Sequence, residues 1–189
     1  MRKIAIHAII TCIFFTTNPV NEVLAQDFYL GGGAAAGSGF KYHSVRSGIP
    51  GLFIRGSYQI SEALQSSASA SMFYPNKDNT EEGERRTWLG MIDLDGQYIF
   101  ARSGTQISFY ALVGLNINFL SSNYMGDELY PNDFSDNYLG LNIGIGSTYR
   151  ISGTSQLLAE MKYTTGKFHQ WTLCAGFLVS TEGWFKKKK

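Results

Sequence analysis

The sequence predicts an all-β protein, an eight-stranded antiparallel up-and-down transmembrane β-barrel. Apolar and polar side chains alternate with a period of two in eight successive segments, and successive side chains of a strand point to opposite faces. Many segments exceed the ~5–6 residues of an ordinary strand and match the roughly 9–11 residues that a tilted strand needs to cross a bilayer. The connections alternate between long and short, which is typical of an up-and-down barrel with its long loops at one end.

Residues 1–25 have the order of an export signal peptide. A short basic region precedes an apolar run over residues 4–15, and small residues end at Ala25, where signal peptidase would cleave. The run is too short to cross a bilayer as a helix. The prediction therefore divides the chain into a signal peptide at 1–25, an outer membrane β-barrel at 26–182 and a basic tail at 183–189.

The first four segments differ in how clearly they alternate. Residues 28–40 are rich in Gly and Ala and only weakly patterned. In residues 51–59 large apolar side chains alternate with polar ones, and in residues 64–74 Ala and larger apolar residues alternate with Ser. Residues 88–100 set Trp, Ile, Leu and Tyr against Asp and Gln. The period of two predicts a strand in each.

The last four segments alternate more strictly. Residues 107–120 and 138–150 each place apolar side chains opposite Gly, Asn, Ser or Thr. Residues 156–164 place Leu, Ala, Met and Tyr opposite Glu and Lys, and residues 168–180 place large apolar side chains opposite Gln, Thr, Cys and Gly. No helical period competes in any of them, so each is predicted to be a strand.

The lengths of the connections predict which ends of the strands share a side of the membrane. Long polar loops at one end, the outer one, would alternate with short periplasmic turns at the other. The last connection, at residues 165–167, is short where a long loop is expected. The predicted long loops are 41–50, 75–87 and 121–137, and the predicted short turns are 60–63, 101–106 and 151–155.

Aromatic side chains indicate that the apolar face points outward into lipid. A membrane barrel carries girdles of aromatic residues at its two interfaces, whereas a soluble barrel would turn its apolar face inward around a ligand. The aromatic residues lie near strand ends, on the apolar face. The predicted interface residues are Tyr58, Tyr74, Trp88, Tyr98, Phe100, Phe119, Tyr149, Tyr163 and Trp171.

Five charged side chains fall at mid-strand on the opposite face. Facing lipid, a cation at the bilayer midplane would cost about 2–4 kcal/mol. In a narrow lumen, opposite charges can meet and share hydrogen bonds with Gln97, Asn116 and Asn142. We therefore predict a polar plug that closes the lumen, with a proton or ion path as the alternative. The five residues are Arg55, Asp93, Asp95, Glu160 and Lys162.

Four segments carry a resemblance to a known family: GLFIRGSYQI at 51–60, DLDGQYIF at 93–100, YALVGLN at 110–116 and AEMKY at 159–163. With them the chain resembles the OmpA/OmpX-like eight-stranded outer membrane barrels, in the form common among Bacteroidota-type bacteria. The resemblance covers nearly all of the chain after the signal peptide. It implies surroundings of outer membrane lipid and lipopolysaccharide, and insertion by the barrel-assembly machinery. Many such barrels end on an aromatic residue, whereas here four lysines follow Trp184 and Phe185.

Composition excludes several classes of function. The chain carries 16 Lys and Arg against 15 Asp and Glu, and a balance near zero argues against a nucleic-acid-binding surface. Cys12 falls within the signal peptide, which leaves Cys174 alone and predicts no intramolecular disulfide. The glycine-rich residues 31–37 lack the helix that a dinucleotide loop requires, so a closely packed first strand is the better interpretation.

No catalytic residue, cofactor site or metal site is predicted. A lipid-modifying enzyme would need a Ser or Asp near a His at the outer rim. Only His43, beside Ser44, and His169 are available, and neither has an obvious carboxylate nearby in sequence. The third long loop contains oxygen ligands that suit calcium, but it lacks the spacing of a calcium loop. Its acidic residues are Asp127, Glu128, Asp133 and Asp136.

The expected function is a structural or surface-interaction role in the outer membrane, and not an enzymatic one. The barrel wall is committed to lipid, so any binding falls to the loops, whose partner the residues do not identify. Three alternatives are also compatible with these residues. They are a narrow outer membrane pore, a lipid-modifying enzyme and a soluble periplasmic ligand-binding barrel.

Overall fold

The computed structural model describes residues 27–39, 41–42, 45–46, 50–80, 83–126, 134–167 and 169–181. Within these residues every regular element is a β-strand. In chain order the strands are β1 (Phe28–Gly37), β2 (Lys41–Tyr42), β3 (Val45–Arg46), β4 (Pro50–Gln59), β5 (Leu64–Thr80), β6 (Gly83–Ser103), β7 (Ile107–Gly126), β8 (Phe134–Arg150), β9 (Ser155–Thr165) and β10 (Gln170–Ser180).

Eight of the strands close into a barrel. The order around the wall is β1, β10, β9, β8, β7, β6, β5, β4 and back to β1. Every neighbouring pair is antiparallel, and the closing pair runs from Tyr29 opposite Ser180 to Gly37 opposite Thr172. The short strands β2 and β3 form a separate two-stranded sheet in the connection between β1 and β4. This arrangement confirms the predicted fold class.

Alternation of side chains gives the wall an apolar outer face and a mostly polar inner face, which also contains a buried apolar cluster that includes Phe53, Phe73 and Leu112. In β9, for example, Glu160 and Lys162 are buried in the lumen while Leu157 and Met161 are exposed on the outside. The outer face is strongly apolar, and Leu139, at 68% exposed, illustrates how far its side chains project. Water would disfavour so much exposed apolar area, whereas hydrocarbon accommodates it.

The two ends of the barrel differ. At one end, which we call the turn end, residues 60–63, 104–106 and 151–154 connect the strands. The beginning of β1 and the end of β10 also lie there, because the amide of Gln59 donates to the carbonyl oxygen of Asp27 at 3.0 Å and the amide of Ser180 donates to that of Thr154 at 2.7 Å. The opposite end, the loop end, carries the connections after β1, β5, β7 and β9.

Two of the predicted long loops are mostly strand, so their predicted bounds are wrong. Residues 75–80 continue β5 and residues 83–87 begin β6, and their pairing runs on to Thr80 opposite Gly83. Likewise, β7 continues to Gly126 and β8 begins at Phe134. The polar composition of these stretches suggested loops, but pairing of the backbone does not need a buried face. Where both faces are polar, the alternation that identifies a strand is absent.

The register of β5 and β6 shifts between Phe73 and Asn76, at the position of Pro75. Proline has no N–H to donate to a neighbouring strand and is tolerated in sheets at bulges and edges. The bulge therefore lets β5 continue past the proline toward the loop end. Smaller differences occur at the first and last segments, since β1 ends at Gly37 and β10 begins at Gln170.

The glycine-rich segment is strand β1, at the seam where the barrel closes. A Cβ atom at Gly33 would lie 2.1 Å from the carbonyl oxygen of Ala175 and 2.5 Å from the Cα atom of Gly176. Both contacts involve backbone, so a larger residue would force the neighbouring strand away. Close packing of β1 explains this composition, as the sequence suggested.

Several sequence-based predictions concern residues outside the described ranges. They are the signal peptide at 1–25, His43, the acidic residues 127, 128 and 133 of the third loop, and the basic tail at 183–189. Across the part of the chain that the structure does describe, no helix has the length and apolarity that a membrane-crossing helix needs.

Candidate functional site: a charged cluster in the lumen

The five charged residues singled out in the sequence meet inside the barrel. Three strands contribute them: Arg55 lies on β4, Asp93 and Asp95 on β6, and Glu160 and Lys162 on β9. Each is at most 4% exposed. Because the polar face of every strand points into the same narrow space, residues more than a hundred positions apart in sequence come into contact.

Arg55 and Glu160 form a two-point ion pair. Nη1 of Arg55 donates to Oε2 of Glu160 at 2.7 Å and Nη2 donates to Oε1 at 2.6 Å. The hydroxyl of Tyr110 donates to the same Oε2 atom at 2.8 Å. The planar guanidinium matches a carboxylate in this geometry. Since β4 and β9 are separated in the wall by β1 and β10, the pair bridges the lumen.

Lys162 and Asp93 form the second ion pair, with Nζ donating to Oδ2 at 2.5 Å. Asp93 also accepts from the amides of Asn116 at 2.6 Å and Asn142 at 2.8 Å, and from the hydroxyl of Ser69 at 3.3 Å. These donors come from four different strands. Asp93 is therefore the most highly connected carboxylate of the cluster.

Asp95 is held more loosely. Its Oδ1 atom accepts from Asn142 at 2.9 Å. Its Oδ2 atom lies 3.7 Å from Nζ of Lys162, which is closer to Asp93. The predicted amide partners are thus partly correct, because Asn116 and Asn142 bind the carboxylates, whereas Gln97 donates to Ser67 at 3.2 Å.

Tyr110 was not predicted as part of the cluster, although the sequence contains a signal for it. The residue has the same parity on β7 as Asn116 and therefore points inward, where it is only 2% exposed. Its register partner is Gly146. A Cβ atom at Gly146 would lie 2.3 Å from Cζ of Tyr110, so the glycine on β8 makes room for the ring. Thr164 was also missed; its hydroxyl donates to Oδ1 of Asn142 at 2.8 Å.

The nine predicted interface aromatics lie on the outer face. Seven are exposed by more than a third, whereas Tyr58 and Tyr163 are half-buried. Tyr163 packs beside Trp171 with ring centroids 4.9 Å apart. The strand positions place them in two groups. Tyr58, Tyr98, Phe100 and Tyr149 lie toward the turn end, and Tyr74, Trp88, Phe119, Tyr163 and Trp171 lie toward the loop end.

Within the described ranges, the other candidates for chemistry are not assembled into a site. The ring of His169 is exposed and lies parallel to that of Tyr163, with ring centroids 6.3 Å apart. Cys174 is buried and unpaired on β10. Among the described residues, no group of three or more His, Cys, Asp or Glu side chains is arranged to hold a metal ion.

The comparisons with known proteins agree with this architecture. Residues 8–177 match the family model described as outer membrane protein beta-barrel domain. The chain belongs to this family. It is therefore a small outer membrane β-barrel protein, with membrane lipid around its wall. A search of curated proteins found no match.

Solved structures share the fold at low sequence identity. Neisserial surface protein A is 19% identical with a TM-score of 0.63, over 80% of this chain and 96% of that one. A major outer membrane protein of Thermus thermophilus is 14% identical with a TM-score of 0.58, over 83% and 100%. The attachment invasion locus protein Ail of Yersinia pestis is 12% identical with a TM-score of 0.57, over 82% and 99%. Identities this low establish the likeness of fold alone.

Proposed function

We propose that this outer membrane barrel has a structural and surface-presenting role and that its lumen is closed by a polar plug. The observation that carries the proposal is the pair of ion pairs at mid-barrel, Arg55 with Glu160 and Lys162 with Asp93. Each joins strands three places apart in the wall, and each is nearly inaccessible to solvent. A solute would have to break several charge-assisted hydrogen bonds to pass.

The proposed orientation puts the loop end outside the cell. The strands β5, β6, β7 and β8 extend furthest at that end, while the opposite end has short turns, which is the asymmetry of outer membrane barrels. Export through a cleaved signal peptide at 1–25 and insertion by the barrel-assembly machinery fit this orientation. The two groups of aromatic residues would then lie at the two lipid interfaces, the outer one beside lipopolysaccharide.

The same geometry favours a non-enzymatic role. A lipid-modifying site needs a nucleophile or base oriented by a neighbouring group. His169 instead stacks on Tyr163, on the outer face. We expect lipid A from cells that make the protein to be chemically unchanged.

Planar-bilayer recording tests the plug. The wild-type protein should show no large, steady conductance. Replacing both partners of one bridge, in an Arg55→Ser and Glu160→Ser variant, should raise single-channel conductance clearly above the wild-type level, because the bridge is removed without leaving an unpaired charge.

A matched control is the ion pair between Lys167 and Asp136, whose side chains are 44% and 39% exposed. Replacing both residues of this pair by serine should leave the single-channel conductance at the wild-type level. A large, steady conductance from the wild-type protein would overturn the plug.

A further inference from the structure

The charges inside the lumen do not balance. The cluster holds two cationic and three carboxyl side chains. Arg55 neutralises Glu160 through two hydrogen bonds, and Lys162 lies against Asp93 at 2.5 Å. After these two pairs, the carboxyl group of Asp95 is left without a cation of its own.

The contacts of Asp95 are too few for a buried carboxylate. The residue is 3% exposed, and its Oδ2 atom has no hydrogen-bond partner in the described part of the chain. Oδ2 lies 3.7 Å from Nζ of Lys162, and that ammonium group already forms its close ion pair with Asp93. A buried charge with so little compensation is strongly disfavoured, so it must be neutralised.

We propose that Asp95 binds one exchangeable positive charge, either a proton or a monovalent inorganic cation, inside the lumen. Strands β5 and β8 present only neutral Ser and Asn side chains to the cluster, so neither supplies the missing charge. The titratable and charged groups around Asp95 are Arg55 of β4, Asp93 of β6, Tyr110 of β7, Glu160 and Lys162 of β9 and Cys174 of β10. Of these, only the two cations already used are positive.

Local structure accommodates the Asp95 carboxyl and leaves a route to it from one end of the barrel. Gly114 is the register partner of Asp95 on β7, and a Cβ atom there would lie 2.1 Å from Oδ1 of Asp95, so the glycine makes room for the carboxyl group itself. Since β6 runs toward the turn end, Asp95 lies on the turn-end side of Asp93. A cavity of about 350 Å³ opens at that end, lined by polar residues such as Gln65 and Gln156 and by two acidic and two basic residues, Asp27, Glu62, Arg102 and Arg150.

Only the side chain of Gln97 lies between Asp95 and this cavity along β6, on the same face. Exchange from the turn end is therefore the shorter route. In the proposed orientation that end faces the periplasm, but the site itself rests on the charge count and holds whether or not the lumen conducts.

Infrared spectroscopy and thermal unfolding of the protein in lipid vesicles test the proposal. In wild-type protein labelled with ¹³C-aspartate, a proton on Asp95 gives a protonated-carboxyl band that Asp95→Asn lacks. If the ligand is an inorganic cation, the wild-type unfolding temperature instead rises with Na⁺ or K⁺ but not with N-methylglucamine at equal ionic strength. That rise disappears in Asp95→Asn. A wild-type protein with neither response, or an Asp95→Asn protein that keeps one, overturns the proposal.

Two further variants keep the test decisive. Asp136→Asn removes an exposed carboxylate and should leave the wild-type response unchanged. If Asp95→Asn does not fold, Asp93→Asn tests the same charge count, because it frees Lys162 to pair with Asp95. The response should then be lost, and its persistence in folded Asp93→Asn protein would contradict the proposal.

Discussion

Arg55 and Glu160 show how single side chains hold the interior together. Both are almost fully buried, and the pair is satisfied by its own geometry and by the hydroxyl of Tyr110. A pair of this kind contributes little net stability compared with an apolar replacement, because both charges lose their hydration. Removing one partner is different, since the other is left buried and unpaired.

This asymmetry predicts the outcome of a double-variant experiment. Arg55→Met should lower the free energy of unfolding by about 3–5 kcal/mol, because it leaves the Glu160 carboxylate without its cation. Adding Glu160→Gln should recover much of that loss, since the amide oxygen can still accept from Tyr110. Urea unfolding in lipid vesicles measures both. A double variant as unstable as the sum of its single variants would contradict this account.

At the level of elements, the seam between β1 and β10 depends on backbones that approach closely. On the β1 side, residues 31–37 of the seam are all Gly or Ala, and a Cβ atom at Gly31, Gly33 or Gly176 would meet backbone atoms of the paired strand. Barrel closure removes the free edges that an open sheet would expose, so a defect at this seam affects the whole wall.

Gly33→Ala should therefore impair closure. The added methyl group meets backbone atoms of Ala175 and Gly176 at 2.1 and 2.5 Å, and such overpacking costs about 1–3 kcal/mol or more. We expect a smaller folded fraction by gel mobility of unboiled protein. Gly153→Ala is the matched control, since a Cβ atom there has nothing within 4 Å. Equal folded fractions for the two variants would show that the seam tolerates a side chain.

For the whole molecule, the outer surface changes from apolar to polar along the barrel axis, from the turn end to the loop end. The apolar outer band covers β5–β8 toward the turn end, whereas the part of the β5–β6 hairpin nearest the loop end carries Lys77, Arg86 and other polar residues. The barrel and this extension therefore need not depend on each other. Between the turn end and the bulge, β5 and β6 pair from Leu64 opposite Tyr98 to Phe73 opposite Leu89, and this pairing forms their part of the barrel wall.

Replacing residues 77–86 by Asn-Gly tests this independence. Asn76 and Thr87 are register partners, and a two-residue turn joins such a pair in a β-hairpin. The shortened protein should still form a closed barrel, with different gel mobility before and after boiling. On intact cells, protease should cut the wild-type hairpin but not the shortened one. Failure of the shortened chain to fold would show that the extension is part of the barrel's stability.

The sequence alone determined the number of barrel strands, their antiparallel up-and-down order and the inward or outward direction of most side chains in the alternating segments. The strand number and the side-chain directions follow from a local period of two, and the up-and-down order follows from the alternating lengths of the connections. It also placed Arg55, Asp93, Asp95, Glu160 and Lys162 on the inner face. Their depth along the strands was enough to predict a common cluster.

Only the tertiary structure decided which charges meet. The stagger between strands on closure sets whether Arg55 reaches Glu160 or Asp93, and no local pattern contains that stagger. The extension of β5–β8 was hidden for a similar reason, because strands with two polar faces pair through their backbones and leave no alternation to detect. Closure likewise left Asp95 without a cation of its own, since two ammonium or guanidinium groups can each approach only one carboxylate closely.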